Sequence, residues 1–281
     1  MKTIRIIPRL DIKGPNLVKG IHFEGLRVLG NPSHFAKEYY NSCADELMYV
    51  DVVASLFERN SLSNIISETA KEIFIPLTVG GGLRSISDIK NVLKAGADKV
   101  SLNTAVLKTP ELIRETSLSF GSSTIVVSIE AIKQPDGSYF AYTDNGREFT
   151  GVNVLEWAQE VAQLGAGEII ISSVDKEGTA EGFDIELTKM ISEAVNVPVI
   201  AHGGAGSIKN IIDVIKIGKA DAVSIASILH YGVNHKFSKD KSNFEGNTEF
   251  LKKNIGFSKI NPINLLELKK ELINNNINCR I

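Results

Sequence analysis

The segment IPLTVGGGLRSISDIKNVLKAG, from Ile75, aligns without a gap on VPVIAHGGAGSIKNIIDVIKIG, from Val197, at an offset of 122 residues. Each copy reads as an apolar strand, a glycine turn and a helix, and the two share the Pro, the Gly pair, the Ser-Ile step and the closing Gly. The segments just upstream, ADELMYVD and AGEIIISS, align at the same offset and set Glu46 against Glu168. A repeat this long is too large for a solenoid unit and suits a half-barrel of four βα units.

Eight short β-branched runs support that reading: IRIIPRL, LMYVDVV, FIPLTV, KVSLN, TIVVSI, EIIISSV, VPVIAH and AVSIAS. Segments with apolar residues three and four apart, such as SISDIKNVLKAG and NVLEWAQEVAQLG, lie between most of them and end on a capping Gly. Alternating strands and helices make a parallel sheet covered by helices. Eight units in about 250 residues predict an α/β fold, a closed (β/α)8 TIM barrel with half-barrel internal duplication, rather than an open doubly wound sheet. A single barrel is expected over residues 1–281, with an inserted, Lys-rich segment at about 231–260 before the last helix.

Charge and composition narrow the ligand class. A formal net charge of -2 and 43% hydrophobic residues describe a globular chain with no electrostatic attraction to nucleic acid or an anionic membrane. Cys43 and Cys279 have no metal-ligand spacing, so no metal or cofactor is expected. The N-terminal stretch MKTIRIIPRLDIKG lacks the apolar core of a signal peptide, and the expectation is a cytoplasmic protein.

In a (β/α)8 barrel, chemistry collects where strands end. Asp11, Asp51, Glu130 and Asp175 each follow an apolar run. Gly81 and Gly82 in one half, and Gly203, Gly204 and Gly206 in the other, predict turns whose N–H groups approach an anion. Asn103 and Thr104, then Ala226 and Ser227, supply the neighbouring strand ends. Two such sites across one mouth imply a substrate with a phosphate at each end. Asp11 and Glu130 stand on equivalent strands and should face each other as an acid–base pair. Lys19 and Arg27 lie in the first loop and are positioned to reach substrate, while Asp51 and Asp175 read as loop-holding carboxylates and His202 as a hydrogen-bonded histidine.

The stretches IPRLDIKGPNLVKG, DELMYVDVVAS, PLTVGGGLRS, GADKVSLNTA, DNGREFTG, GAGEIIISSVDKEGT, IAHGGAG and ADAVSIAS together resemble the cyclase subunit of imidazole glycerol phosphate synthase. The resemblance runs through all eight strand ends. It implies a barrel that receives ammonia from a separate glutaminase subunit. The family's reaction joins that ammonia to a two-phosphate ribulosyl formimino aminoimidazole carboxamide ribonucleotide and cleaves the product into imidazole glycerol phosphate and aminoimidazole carboxamide ribotide. It implies Asp11 as one acid–base residue, substrate and phosphate contacts at Lys19, Gly82, Asn103, Thr104, Gly178, Gly204, Ala226 and Ser227, an ammonia gate of Arg5, Glu46, Lys99 and Glu168, and a glutaminase-docking face with Asp98 at its edge.

The chain departs from the family pattern at three places around the mouth. Glu130 stands where histidine-pathway members have Asp, which moves the carboxylate outward by about 1.5 Å; a misplacement near 1 Å can cost on the order of 100-fold unless the site is shaped to fit. Arg9 replaces a small residue, and His202 stands where a small hydroxyl residue is usual. These changes also resemble a branch of the family in surface-polysaccharide synthesis, whose members bind a glutaminase and pass ammonia to a separate sugar amidotransferase. The expectation is an ammonia-dependent cyclase, with the ammonia conduit as the alternative and Glu130 as the residue that divides them.

Overall fold

The computed structural model describes residues 2–54, 62–237 and 260–281. Its strands, in chain order, are β1 (Arg5–Lys13), β2 (Asn16–Ile21), β3 (Glu24–Gly30), β4 (Leu47–Asp51), β5 (Leu77–Gly80), β6 (Lys99–Leu102), β7 (Ile125–Lys133), β8 (Tyr139–Thr143), β9 (Glu148–Asn153), β10 (Glu168–Ser173), β11 (Val199–His202) and β12 (Ala222–Ile225). Eight of them pair in parallel in the order β1, β4, β5, β6, β7, β10, β11, β12, and β12 returns to β1. The sheet is therefore closed into a (β/α)8 barrel. These eight strands are the eight apolar runs of the sequence.

The duplication is visible in the ladders. Asp11 pairs with Val50 and Glu130 with Ser172, and Val50 and Ser172 are related by the same 122-residue offset as the aligned segments. Caps repeat as well: Ser85 Oγ accepts from Asp88 N–H to start the helix Ile86–Ala95, and Ser207 Oγ accepts from Asn210 N–H to start Ile208–Lys216. The helix Val154–Leu164 begins on Asn153 and ends on Gly165 in the left-handed region, as its sequence predicts.

Asp98 and Asp221 repeat a third device. Asp98 Oδ2 accepts from Leu77 N–H at 2.9 Å and Asp221 Oδ2 from Val199 N–H at 2.6 Å, each tying the start of one barrel strand to the loop before its neighbour. Asp98 is exposed at the N-terminal face, so it is a strand anchor there.

Two elements were not expected. After β1, β2 and β3 form an antiparallel hairpin on the barrel rim, and after β7, β8 and β9 do the same in the second half. The expected insertion at 231–260 begins within the helix Ser227–Phe237, and residues 238–259 lie outside the described residues. The final helix, Leu265–Asn274, is fixed by Lys269, whose ammonium meets Asp45 Oδ2 at 2.8 Å and the Arg280 carbonyl at 2.9 Å. Among the described residues no helix is long and apolar enough to cross a membrane.

Strand side chains alternate, so odd and even positions divide between two cores. Ile6, Leu10, Tyr49, Val127 and Ile171 face the helices in the large outer core. Ile7, Met48, Val126, Ile170, Ile200 and Ala222 form a second, smaller cluster inside the barrel. Two residues further along these strands lies a largely polar layer, Arg9, Ser128, Ser172, His202 and Ser224, with Val50 on β4 as its apolar member. Two residues back from Ile7, Met48 and Ile170 lie Arg5, Glu46 and Glu168.

Candidate active site

Asp11 and Glu130 stand one layer beyond Arg9 and Ser128, at the C-terminal mouth. β1 and β7 are four places apart in a ring of eight, so the two carboxylates enter the mouth from opposite sides. Both are buried, Asp11 at 3% and Glu130 at 9% exposure. Their surroundings differ in sign.

Asp11 sits among cations. Arg9 Nε donates to its Oδ1 at 2.8 Å, and Lys19 Nζ lies 3.6 Å from its Oδ2. Burial opposes the charge, but Arg9 and Lys19 outweigh it and hold the carboxyl down to about 2. Glu130 has no such pair. Burial pushes its carboxyl up to about 7; the Gly146 N–H, Arg9 and the Asn103 amide pull it down, and Asp144 pushes it up. The longer side chain has a fitted seat, since Glu130 Oε2 accepts from Gly146 N–H at 2.9 Å at the turn between β8 and β9.

Two cavities flank the pair. The first, about 700 Å³ of open space, is lined by Asp51, Gly81, Gly82, Arg84, Asn103, Thr104 and Glu130 among others. The second, about 290 Å³, is lined by Lys19, Glu177, Gly178, His202, Gly203, Gly204, Ala226 and Ser227 among others. Apart from Lys19, which reaches across to the second cavity, the residues expected to hold two phosphates thus divide into one group per half. Glycine is required by space: a Cβ on Gly81 would lie 2.4 Å from the Asp51 carbonyl oxygen, one on Gly204 2.0 Å from the Gly182 carbonyl oxygen, and both have positive φ, 98° and 101°.

Several expected residues have other positions. Lys19 lines the second cavity, but it is buried and ion-paired to Glu177 as well as Asp11, so it is a fixed cation and not a mobile loop residue. Arg27 pairs with Lys19 across the β2–β3 ladder, and neither it nor Gly206 lines either cavity. Asp175 Oδ2 accepts from Lys133 N–H at 2.9 Å, a loop-holding contact as expected. Asp51 Oδ1 accepts from Val53 N–H at 3.1 Å and also lines the first cavity.

Glu177 is the residue that the sequence reading missed. It is 1% exposed, pairs with Lys19, and accepts from Phe23 N–H at 3.1 Å through Oε2, so it fastens the β2–β3 turn to the loop after β10. Its one sequence signal is an acid beside Gly178 in DKEGT, which by itself reads as a solvated loop.

At the opposite face the four residues expected to form a gate meet. Arg5 Nη1 contacts Glu46 Oε1 at 2.6 Å and Glu168 Oε1 at 3.0 Å; Lys99 Nζ contacts Glu46 Oε2 at 3.1 Å and Glu168 Oε1 at 2.8 Å. Charges alternate around a closed ring across the barrel axis. Burial works against the Arg5 guanidinium, yet Glu46 and Glu168 raise its pKa. The apolar layer of Ile7, Met48, Val126, Ile170, Ile200 and Ala222 separates this ring from the mouth. Among the described residues no group of three His, Cys, Asp or Glu side chains is arranged to hold a metal.

The model of the family described as histidine biosynthesis protein matches residues 5–235. The chain is 54% identical over 209 residues to imidazole glycerol phosphate synthase subunit HisF of Legionella pneumophila, covering 74% of this chain and 99% of that one. It is 48% identical over 233 residues to the protein of the same name from Lactococcus lactis subsp. cremoris strain SK11, covering 83% and 90%. A third HisF subunit, from Alkaliphilus metalliredigens, is 46% identical over 231 residues, covering 82% and 92%. The alternative considered from Glu130, Arg9 and His202, an ammonia conduit to a separate sugar amidotransferase, finds no support in these relatives.

Proposed function

The chain belongs to the histidine biosynthesis protein family, and from that premise we propose that it is the cyclase subunit of imidazole glycerol phosphate synthase. It joins ammonia to the two-phosphate ribulosyl formimino aminoimidazole carboxamide ribonucleotide and cleaves the product to imidazole glycerol phosphate and aminoimidazole carboxamide ribotide. One observation carries the reading: two buried carboxylates enter one mouth from opposite sides, between two glycine-turned cavities, with pKa values held at about 2 and about 7.

That separation assigns the roles. Addition of ammonia to a carbonyl carbon removes a proton from nitrogen and delivers one to oxygen. Asp11, ionised beside Arg9 and Lys19, is the acceptor; Glu130, half protonated near pH 7, is the donor. The glycine turns and the strand ends Asn103, Thr104, Ala226 and Ser227 hold the two phosphates, with Lys19 adding positive charge to the second cavity. Holding both ends fixes the reacting carbon between the carboxylates, and positioning of this kind supplies much of a rate enhancement.

The relatives carry the word subunit in their names, which supports a partner. In this reading a glutaminase docks on the N-terminal face around the Arg5–Glu46–Lys99–Glu168 ring, with the exposed Asp98 at its edge, and its ammonia passes through the ring and the apolar layer to the mouth.

The test is an assay of the isolated chain. Purified protein is given ammonium ions and the two-phosphate ribonucleotide, and loss of substrate is followed by absorbance. Turnover that Asp11→Asn abolishes supports the assignment, whereas no turnover at high ammonium sinks it.

A further inference from the structure

Two polar atoms in the second cavity take no part in the chemistry above. His202 is 4% exposed and Ser224 is 1% exposed, both line the cavity, and neither His202 Nε2 nor Ser224 Oγ meets a hydrogen-bond partner among the described residues. Strand alternation explains where they point. Ile200 and Ala222 belong to the cluster inside the barrel, so His202 and Ser224, two residues further along β11 and β12, face inward one layer nearer the mouth. The two positions are ladder partners.

The hydrogen-bonding character of each atom is fixed locally. His202 Nδ1 lies 3.0 Å from the Ser224 carbonyl oxygen, which can only accept, so Nδ1 carries the proton. Burial, with Arg9 and Lys19 nearby, keeps the ring neutral. Nε2 is therefore a pure acceptor. A phosphate dianion has no proton to offer it, and the lone pair would face an anion unfavourably. A carbon-bound hydroxyl offers what is needed, since it donates to Nε2 and its oxygen accepts from the Ser224 hydroxyl.

We propose that His202 and Ser224 form a hydroxyl-reading pair on the floor of the second anion cradle, so that this cradle takes a phosphate ester carrying a hydroxyl on a neighbouring carbon. This rests on the reading of the second cavity as a phosphate site. Gly203 and Gly204 turn the backbone around the phosphate, and the His202–Ser224 pair, deeper toward the axis, selects what the phosphate is attached to. The pair is a specificity element, separate from the proton transfers of Asp11 and Glu130.

Three probes test it, used at about pH 8, above the second phosphate pKa of about 6: inorganic phosphate, glycerol 3-phosphate and n-propyl phosphate. The protein carries nitrogen-15 in its backbone and histidine rings. The Gly204 amide reports occupation of the cradle, and the His202 Nε2 resonance reports the hydroxyl. In the wild-type protein all three ligands move the Gly204 amide, only glycerol 3-phosphate moves His202 Nε2, and it binds roughly fivefold more tightly than propyl phosphate, the size of a typical net hydrogen bond. His202→Ala and Ser224→Ala each bring that ratio toward one and leave inorganic phosphate affinity unchanged. Equal wild-type affinity for the two esters, or an unmoved His202 Nε2 while Gly204 responds, overturns the pair and spares the cradle. A Gly204 amide indifferent to all three ligands overturns the cradle and the pair with it. The wild-type ring signal decides the matter even if a variant folds poorly.

Discussion

The two halves of the barrel share ladder register, helix caps, glycine turns and a rim hairpin, yet they treat their carboxylates in opposite ways. In the first half the β2–β3 turn places His22 and Phe23 at positive φ, 51° and 59°, and directs its Phe23 N–H to Glu177, 3.1 Å away. Asp11 is then left to Arg9 and Lys19. In the second half the β8–β9 turn places Asp144 and Asn145 at positive φ, 53° and 63°, and its Gly146 N–H goes to Glu130 itself, with the Asp144 carboxylate nearby. The same backbone device thus serves two electrostatic ends. Duplication delivered equivalent positions, and a few neighbours set one acid ionised and the other near neutral.

Changes at the paired acids disturb this arrangement most severely in activity. Asp11→Asn and Glu130→Gln are each expected to lower ammonium-dependent turnover by roughly 10²- to 10⁴-fold, the usual worth of a positioned acid or base, measured as kcat/KM at saturating ammonium. Glu130→Asp pulls the carboxyl back from Gly146 N–H and is expected to cost on the order of 100-fold; turnover equal to or above wild type would show that the seat is not fitted to Glu.

Stability widens the contrast between the halves, because the same acid-to-amide change has opposite signs. Asp11→Asn leaves Arg9 buried without its carboxylate and is expected to destabilise by about 3–5 kcal/mol at about pH 7. Glu130 has a folded pKa of about 7, above its ordinary value of 4.5, so its ionisation subtracts stability as pH rises from 4.5 to about 7 and by a constant amount above. Glu130→Gln should therefore stabilise by up to about 3 kcal/mol at about pH 8 and by nothing at about pH 4, read from urea unfolding. The Asp11 pKa lies at about 2, below 3.8, so its contribution is complete above 3.8 and lost as pH falls toward about 2.

Activity against pH separates the roles of the two acids. With Glu130 as donor, turnover at a fixed concentration of free NH3, total ammonium being adjusted at each pH, falls as pH rises through about 7, and Asp11 adds no acidic limb above about 4. Turnover that rises through pH 7 would make Glu130 the base. The smallest expected effect on turnover is at the far face: Glu46→Gln opens one corner of the charged ring, costs about 3 kcal/mol in thermal unfolding because it leaves part-buried cations short of a carboxylate, and leaves turnover with externally supplied ammonium little changed.

Much of this was legible in the sequence because barrel strands announce themselves locally. Each apolar run lies on one of the eight barrel strands, and the 122-residue offset paired the halves and set Glu46 opposite Glu168. What escaped was non-local. Lys19 lies in a glycine-containing stretch that reads as a solvated loop, and Glu177, 158 residues away, with Asp11 makes it a buried cation. The first rim hairpin escaped because its turn, His22–Phe23, carries no Gly, Pro, Asn or Asp; the second does carry a hairpin signal, Asp144–Asn145–Gly146, but its short strands β8 and β9 lie outside the eight apolar runs. The added methylene at Glu130 looked like a misfit until the Gly146 N–H, sixteen residues on, gave it a partner.

A carbon-13 titration of the side-chain carboxyls of Asp11 and Glu130 in the intact protein reads the inverted pair itself. The expected result is a Glu130 midpoint near pH 7 and an Asp11 signal that stays flat from about pH 4 upward. Midpoints for both acids in the ordinary carboxylate range, near about pH 4, would contradict the inversion on which the assignment of acid and base rests.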